Sequence, residues 1–267
     1  MTGMPRNRFK EKMSGNQTTY GLWLGIPDTS VAEMMAGAGF DWLVVDHEHG
    51  PYEIRDVLAH LQAVAPYDVA PVVRPVDGNR SLLKKLCDIG VQTFLIPMID
   101  TAQEAIAVVE AVKYPPAGSR GLGTSMARAA RWNSVSGYVG QADDEMCVIV
   151  QVESSRALQN IDAIAAVEGI DAVFIGPSDL SASMGYGGDP ARPEVLSAVT
   201  DALRRIRQAG KHAGLLCLDA SRVGHFVDAG ANFVGIGVDT LLIGNAARSL
   251  ADQFKNGDGS KGSAAGY

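Results

Sequence analysis

Short apolar runs recur along the chain, and five of them follow a glycine that ends an amphipathic stretch. These glycines are Gly39, Gly90, Gly169, Gly210 and Gly230. Glycine adopts the left-handed conformation that ends a helix at little steric cost, and a continuous apolar run of about four to six residues is typical of a parallel strand covered on both faces. The pattern therefore predicts five junctions at which a helix leads into a buried strand.

Three further apolar runs raise the number of predicted strands to eight. The predicted strands lie at residues 21–25, 43–45, 69–74, 93–97, 146–152, 172–175, 214–218 and 233–236. The stretches between them have helical period, and the clearest helix begins at Thr101, which forms a capping box with Glu104. Eight alternating βα units predict a single-domain TIM (β/α)8 barrel, with a doubly wound open sheet as the alternative. Residues 114–133, rich in proline and glycine, are predicted to form a long loop.

Both ends of the chain lack periodic apolar positions. Residues 1–18 are mostly polar, and residues 256–267 are rich in glycine, serine and alanine. Such composition is typical of loosely held termini. We therefore expect a flexible N-terminal segment at 1–18, a barrel domain at 19–255 and a flexible tail at 256–267.

The composition indicates which kinds of partner the protein can bind and in which cellular compartment it is expected. The chain has 30 acidic and 23 basic residues and a formal charge of −7, so it lacks the broad basic surface that nucleic acids require. Its three cysteines are far apart and form no metal-binding or disulfide pattern, which favours a reducing cytoplasm. No apolar run approaches the roughly 18 residues of a membrane span, so we expect no membrane partner.

The residues that follow the predicted strands are unusually polar. They are Asp46, His47, Glu48 and His49 after the second strand, Arg74 after the third, Glu153 after the fifth, and Ser178 and Asp179 after the sixth. In a TIM barrel the C-terminal ends of the strands form the active-site rim. Carboxylates that converge without a cation repel one another, whereas Mg²⁺ or Mn²⁺ binds one or two of them and keeps positions open for substrate. Glu153 and Asp179 are the natural pair of ligands.

Each of these features has a structural alternative. Glu153 can complement a helix dipole and Asp179 can cap a helix. His47 and His49 would point in opposite directions, so at most one is expected to face the site, and we interpret His60, His212 and His225 as structural. The segment 118–131, with Arg120, Arg128 and Arg131, can cradle a phosphate or be a structural loop, and we favour the loop because no P-loop pattern is present. No lysine lies at a strand end, which disfavours a Schiff-base mechanism.

Several short motifs together resemble the HpcH/HpaI family of class II, metal-dependent pyruvate aldolases over about residues 21–254. They are Gly21-Leu22-Trp23-Leu24-Gly25, Asp46-x-Glu48-His49, Pro71-Val72-Val73-Arg74-Pro75, Tyr114-Pro115-Pro116-Ala117-Gly118-x-Arg120-Gly121, Gln151-Val152-Glu153, Phe174-Ile175-Gly176-Pro177-Ser178-Asp179-Leu180-Ser181 and Gly237-Val238-Asp239-Thr240. The resemblance implies a TIM barrel assembled as a homohexamer, a dimer of trimers, with C-terminal helices exchanged between subunits.

The resemblance also implies a role for each rim residue. Glu153 and Asp179 would bind a divalent cation such as Mg²⁺, Mn²⁺ or Co²⁺, and the backbone of Gly176, Pro177 and Ser178 would receive the pyruvate carboxylate. Arg74 would contact the keto or enolate oxygen. His49, oriented by Asp46 or Asp88, would take part in proton transfer. Trp23 and Gln151 would line the pocket. The implied reaction is reversible retro-aldol cleavage of a 4-hydroxy-2-oxo acid, such as 4-hydroxy-2-oxoheptanedioate, to pyruvate and an aldehyde such as succinate semialdehyde.

Two other functions fit the same residues. One is a 2-dehydro-3-deoxy sugar-acid aldolase of the same family, which would use the same metal, base and arginine. The other is a non-catalytic barrel that binds an oxo acid, which predicts tight pyruvate binding without turnover. Cleavage rates for the two substrate classes separate the first alternative, and any turnover excludes the second.

Overall fold

Eight parallel strands close into a barrel in the order in which they occur along the chain. The computed structural model describes residues 3–15 and 17–255. The strands are β1 (Thr19–Leu24), β2 (Trp42–Asp46), β3 (Ala70–Arg74), β4 (Thr93–Ile96), β5 (Cys147–Val152), β6 (Ala172–Ile175), β7 (His212–Leu216) and β8 (Phe233–Val238). β8 pairs with β1 and closes the sheet. The predicted TIM barrel is confirmed, and the open sheet is excluded.

The helices surround the barrel. In the described residues they are α1 (Arg8–Met13), α2 (Thr29–Ala36), α3 (Ile54–Ala63), α4 (Arg80–Ile89), α5 (Ala102–Val112), α6 (Val139–Ala142), α7 (Ser155–Gln159), α8 (Ile161–Ala165), α9 (Pro177–Ser183), α10 (Pro193–Gln208), α11 (Ala220–Asp228) and α12 (Asp239–Lys255), with a short 3-10 helix at Asp143–Glu145. The capping box of Thr101 and Glu104 is present at α5. Residues 114–138 carry no helix or strand, which confirms the predicted long loop.

The five glycines that the sequence pattern placed at helix-to-strand junctions all have left-handed backbone. The φ angles are 93° at Gly39, 106° at Gly90, 91° at Gly169, 78° at Gly210 and 115° at Gly230. Side chains other than glycine are strained at such angles. The junction prediction is therefore confirmed at every position where it was made.

Aromatic side chains fill the inside of the barrel beneath the rim. Trp23 packs on Phe174 with ring centroids 5.5 Å apart and on Trp42 at 5.8 Å. Gly235 makes room for this packing, because a Cβ atom there would lie 2.3 Å from the Trp23 ring. The barrel interior is a packed core, so it leaves no channel between the two ends of the barrel.

The N-terminal segment is ordered where it meets the barrel. The Asn7 side chain accepts hydrogen bonds from the backbone N–H groups of Phe9 and Lys10 and so caps α1. Phe9 is 1% exposed and makes edge contacts with Trp42 and Phe233 inside the barrel. The sequence pattern did not indicate α1, because its two buried apolar residues, Phe9 and Met13, are too few to show a helical period. The flexibility expected for residues 1–18 as a whole stays a prediction. The predicted tail, 256–267, lies outside the described residues.

The last helix leaves much of its apolar surface exposed. Leu241, Leu250 and Phe254 of α12 are 41%, 58% and 73% exposed. The start of the helix is anchored to the barrel, because the buried Asp239 carboxylate accepts hydrogen bonds from the backbone N–H groups of Gly25 and Ile26. In the described part of the chain, no helix is both long and apolar enough to cross a membrane.

Candidate active site

A buried ion pair joins the ends of β2 and β3. Asp46 and Arg74 are register partners in neighbouring strands. The Arg74 Nε and Nη2 atoms donate to the two carboxylate oxygens of Asp46 at 2.9 and 2.6 Å. Because both oxygens are engaged, the plane of the guanidinium is fixed. Asp46 therefore positions Arg74 at the rim of the barrel.

Glu48 extends this pair into the site. Its carboxylate lies 3.1 Å from Arg74 Nη1. The chain reaches that position because Asp46 Oδ1 accepts hydrogen bonds from the backbone N–H groups of Glu48 and His49, which turns the chain directly after β2. The His49 imidazole, 69% exposed, has its Nε2 atom 3.8 Å from the Glu48 carboxylate. One arginine thus bridges two carboxylates, and one of these carboxylates also faces a histidine.

Glu153 lies directly after β5 and is 4% exposed. Its two oxygens accept hydrogen bonds from the backbone N–H of Met98, at 2.7 Å, and from Gln151 Nε2, at 2.9 Å. Gly176, which precedes α9, is required at this point because a Cβ atom there would lie 2.5 Å from the Glu153 carboxylate. The end of β6 thereby comes into close contact with Glu153.

Three carboxylates influence one another at this rim. Burial, together with the Glu48 and Asp179 carboxylates, raises the pKa of Glu153 to about 7 against the opposing Met98 hydrogen bond. Burial also raises the pKa of Glu48, partly offset by Arg74. A carboxylate with such neighbours is stabilised in its charged form by a cation.

The donor set fits a hard divalent cation. Glu153 and Asp179 supply carboxylate oxygens, and Gln151 Oε1 is buried without a hydrogen-bond partner beside Glu153. Among the described residues, no group of three or more histidine, cysteine, aspartate or glutamate side chains has the arrangement of a complete metal cage. Mg²⁺ and Mn²⁺ bind through one or two carboxylates and leave positions for water and substrate, which suits a pair of protein ligands.

The two further residues that the sequence pointed to, Trp23 and Gln151, lie beside Arg74 and Glu153. Gln151 is buried on β5 and contacts Glu153. Trp23 is buried on β1, and the Arg74 guanidinium carbon lies 5.9 Å from the centroid of its ring. The structure therefore brings Trp23, Arg74, Gln151 and Glu153 together, and it places residues 176–178 beside them through the Gly176 contact.

Asp88 is not part of this cluster within the chain. It lies in the last turn of α4, at the end of the barrel opposite the rim, and accepts a hydrogen bond from the buried Arg120 at 3.1 Å. The Arg120 guanidinium also stacks on Tyr114, 4.5 Å from the ring centroid. The expectation that Asp88 orients His49 is wrong within one subunit, because α4 runs antiparallel to β4 and carries its C-terminal turn away from the rim. The carboxylate beside His49 is Glu48.

The histidines outside the rim make structural contacts. His60 is buried between the Asp56 carbonyl oxygen and the Tyr52 hydroxyl group. His212 contacts the Asn232 side chain and His225 contacts the Thr200 hydroxyl group. Their structural interpretation is confirmed.

The two histidines after β2 differ as expected. His47 is buried, with its Nδ1 atom unpartnered among the described residues, whereas His49 is exposed.

Sequence reasoning missed two contributors to the site. Glu48 was noted at the rim but given no role, although its position between Asp46 and His49 was a signal. The backbone N–H of Met98 follows β4, where no polar side chain marks the strand end. Met98 has a φ of 56°, an uncommon value for a residue other than glycine, and this turn directs its N–H group at Glu153.

Comparison with known proteins identifies the family of the chain. Residues 19–246 match the family model described as HpcH/HpaI aldolase/citrate lyase. A hydroxypyruvate/pyruvate aldolase from Pseudomonas aeruginosa is 53% identical over 254 residues, covering 95% of each chain. A 4-hydroxy-2-oxo-heptane-1,7-dioate aldolase from Klebsiella pneumoniae subsp. pneumoniae is 49% identical, covering 93% of this chain and 94% of the relative. The crystal structure of an HpcH/HpaI aldolase/citrate lyase family protein from Burkholderia cenocepacia J2315 superposes with a TM-score of 0.89 at 35% identity, covering 93% of this chain and 99% of that one.

Proposed function

The chain belongs to the HpcH/HpaI aldolase/citrate lyase family, and on that premise we propose that it is a metal-dependent pyruvate aldolase. The single observation that carries the proposal is the convergence of the Glu48, Glu153 and Asp179 carboxylates on one rim with the buried Arg74 guanidinium beside them. Such a rim binds a cation and, through the cation and the arginine, the negative oxygens of an oxo acid.

Each residue has a distinct task in the proposed cleavage of a 4-hydroxy-2-oxo acid. Glu153 and Asp179 would hold a divalent cation, which would supply Lewis acidity to the 2-oxo acid. Arg74 donates hydrogen bonds to the oxygen that gains charge when the bond between C3 and C4 breaks, because its guanidinium has more N–H groups than its three contacts with Asp46 and Glu48 use. The backbone of Gly176, Pro177 and Ser178 receives the substrate carboxylate, and Trp23 and Gln151 form the wall.

The proton on the C4 hydroxyl group needs an acceptor, and we assign it to His49. The imidazole is exposed at the rim and lies beside the Glu48 carboxylate. That carboxylate stabilises the imidazolium formed when His49 takes the proton. After cleavage, a proton must be delivered to C3 to complete pyruvate, and we assign its return to the same imidazole.

The identity of the second product distinguishes the candidate substrates. A relative at 53% identity is named for hydroxypyruvate and pyruvate, and one at 49% for a heptanedioate. We propose a 4-hydroxy-2-oxo acid such as 4-hydroxy-2-oxoheptanedioate as substrate, with 2-dehydro-3-deoxy sugar acids as the alternative. Mg²⁺, Mn²⁺ and Co²⁺ are the cations proposed.

We also propose that the protein assembles as a homohexamer in which α12 packs on a neighbouring subunit. The exposed apolar side chains of α12, including Leu241, Leu250 and Phe254, support this arrangement. A helix with such a surface is stabilised when a second chain covers it.

Pyruvate release from metal-reconstituted protein tests the proposed function. Incubation with 4-hydroxy-2-oxoheptanedioate and, separately, with a 2-dehydro-3-deoxy sugar acid is expected to yield pyruvate, faster from the preferred class. Tight pyruvate binding with no release from either substrate would identify a non-catalytic oxo-acid-binding barrel instead. A borohydride-trapped adduct of pyruvate with a lysine would replace the metal mechanism with an imine mechanism.

Metal affinity is expected to fall as the pH drops below about 7. The raised pKa of Glu153 means that its neutral form is favoured below that value, whereas cation binding requires the carboxylate. Because one proton competes with the cation, the affinity for Mn²⁺ should weaken by about tenfold per pH unit below the pKa. Calorimetric titration with Mn²⁺ at about pH 5.5 and about pH 8 measures this. An affinity that is equal at both values would contradict the assignment of Glu153.

The His49→Ala variant is expected to cleave substrate about 10²-fold more slowly. General acid–base assistance raises the rate about 10²- to 10⁴-fold. We expect the lower end of this range because His49 is exposed, so that water can accept the proton in its place. Mn²⁺ affinity should stay unchanged, since His49 is not a ligand. His47→Gly is the matched control, because the His47 imidazole is buried whereas that of His49 is exposed. A large loss in the control together with full activity in His49→Ala would reverse the assignment.

A further inference from the structure

A second cavity lies at the end of the barrel opposite the active-site rim. It has a volume of about 370 Å³ and is bounded by the N-terminal segment, the end of α3, the starts of β3 and β4, and the long loop after α5. Because the starts of the strands form one of its walls, it cannot share ligands with the rim. Its volume is in the range of pockets that bind small molecules, about 300–1,000 Å³.

Four arginines line this cavity, and none of its described lining residues is aspartate or glutamate. The arginines are Arg6, Arg8, Arg128 and Arg131. This local charge is opposite in sign to the formal charge of −7 of the whole chain. The other lining residues are apolar or neutral, so any negative charge that balances these guanidinium groups must come largely from outside the wall.

The four arginines differ in whether a carboxylate of the protein balances their positive charge. Arg6 is paired with Glu145 at 2.7 Å. Arg8 donates to the carbonyl oxygen of Tyr67, and Arg128 donates to that of Ile89 at 2.9 Å. These two carbonyl oxygens are neutral acceptors. The Arg131 guanidinium makes no hydrogen bond or ion pair with the residues that the structure describes. Among residues 3–15 and 17–255, three of the four positive charges therefore have no ion-pair partner.

Arg128 and Arg131 are held close together. Burial lowers the pKa of Arg128, and the charge of Arg131 lowers it further, so Arg128 is in an environment unfavourable to positive charge. The backbone next to them is strained: Arg131, Trp132 and Asn133 have φ angles of 49°, 51° and 65°. Three consecutive residues other than glycine in this conformation are costly, and such strain persists where the fold keeps side chains in a required position.

We propose that this cavity binds the dianionic phosphoryl group of a small organic phosphate monoester. A phosphate monoester carries close to two negative charges at neutral pH, and guanidinium groups match its oxygens with paired hydrogen bonds. Arg128 and Arg131 bind the phosphoryl oxygens, and Arg8 adds positive charge at the opening. The apolar wall of the cavity, which includes Leu61, Val64 and Val91, packs against the organic part of the ligand.

The site would couple the ligand to the stability of the barrel rather than to its chemistry. It contains the N-terminal segment that seals the barrel through Phe9, and it contains the long loop that carries Arg128 and Arg131. A ligand that bridges these two segments binds the folded state selectively and raises the melting temperature. The proposal does not depend on the aldolase reaction, because no residue of the rim takes part.

Titration of the full-length protein with phenyl phosphate, inorganic phosphate and phenol at constant ionic strength tests the proposal. Calorimetry is expected to show binding of phenyl phosphate, weaker binding of inorganic phosphate and none of phenol. The affinity should be the same in metal-free and metal-loaded protein. Arg131→Gln is expected to weaken phenyl phosphate binding at least about tenfold, since it removes charge-assisted hydrogen bonds.

Two controls make the outcome decisive. Arg204→Gln removes an exposed arginine of α10 far from the cavity and should leave binding unchanged. Arg74→Lys alters the active-site rim and should also leave it unchanged. Arg128→Gln repeats the test inside the cavity, with its melting temperature measured without ligand. Unchanged affinity in Arg131→Gln, loss of affinity in Arg74→Lys, or absence of any binding to wild-type protein would each overturn the proposal, the last favouring a second copy of the chain as the source of negative charge.

Discussion

The Glu153→Gln variant is expected to release pyruvate at least about 10³-fold more slowly than the wild type. Loss of a residue that merely orients a metal ligand typically costs about 10- to 100-fold in affinity or activity, so loss of a ligand itself should cost more. Gln151 Nε2, which donates to the Glu153 carboxylate, would face an amide of similar shape after the change. The fold should therefore survive while the negative charge is removed.

Metal binding gives the second readout for this variant. Calorimetric titration with Mn²⁺ is expected to show a large loss of affinity in Glu153→Gln and also in Asp179→Asn. Glu145→Gln is the matched control, because Glu145 is another buried glutamate but lies at the opposite end of the barrel, paired with Arg6. It is expected to lower stability and to leave Mn²⁺ affinity intact. Full activity of Glu153→Gln in protein verified to be free of metal would refute the metal mechanism.

The barrel was predictable because its signals are local. A left-handed glycine at a helix end and a continuous apolar run after it involve neighbouring residues, and both survived in the structure at Gly39 and Gly230. The order of the strands then follows from the rule that successive βα units lie side by side. Helix α1 escaped prediction for the opposite reason: Phe9 contacts Trp42 and Phe233, residues far away in the sequence.

The sequence predicted most of the individual residues at the rim but not the contacts between them. Position after a strand indicated Asp46, Arg74, Glu153 and Asp179. The pairing of Asp46 with Arg74 depends on the register of β2 and β3, and sequence alone does not give that register. The contact between Gly176 and Glu153 likewise joins the ends of two strands. Asp88 illustrates the limit, since helix direction placed it at the other end of the barrel.

The Arg74→Lys variant is expected to lose about 10³-fold in turnover although the positive charge is retained. Removal of one fixed donor to a developing oxyanion typically costs about 10²- to 10³-fold. Lysine cannot reproduce the planar fork with which Arg74 engages both oxygens of Asp46. Its ammonium group would pair with Asp46 or with Glu48, and neither arrangement leaves a donor in the same fixed direction toward the substrate.

The change should also affect the neighbouring carboxylates, which distinguishes a lost donor from a disturbed fold. The positive charge of Arg74 lowers the pKa of Glu48 and that of Glu153, against the burial that raises both. A lysine that is held less firmly should let both pKa values rise, so the pH at which Mn²⁺ affinity falls should move upward. Steady-state assays of pyruvate release combined with Mn²⁺ titrations across pH measure both effects.

Asp46→Asn provides the companion test, because it keeps the Arg74 guanidinium but removes the charge that fixes its plane. We expect it to lose less turnover than Arg74→Lys. Wild-type turnover in Arg74→Lys, with the protein folded and binding Mn²⁺, would show that a positive charge suffices at this position and that the direction of the guanidinium plays no part in stabilising the enolate oxygen.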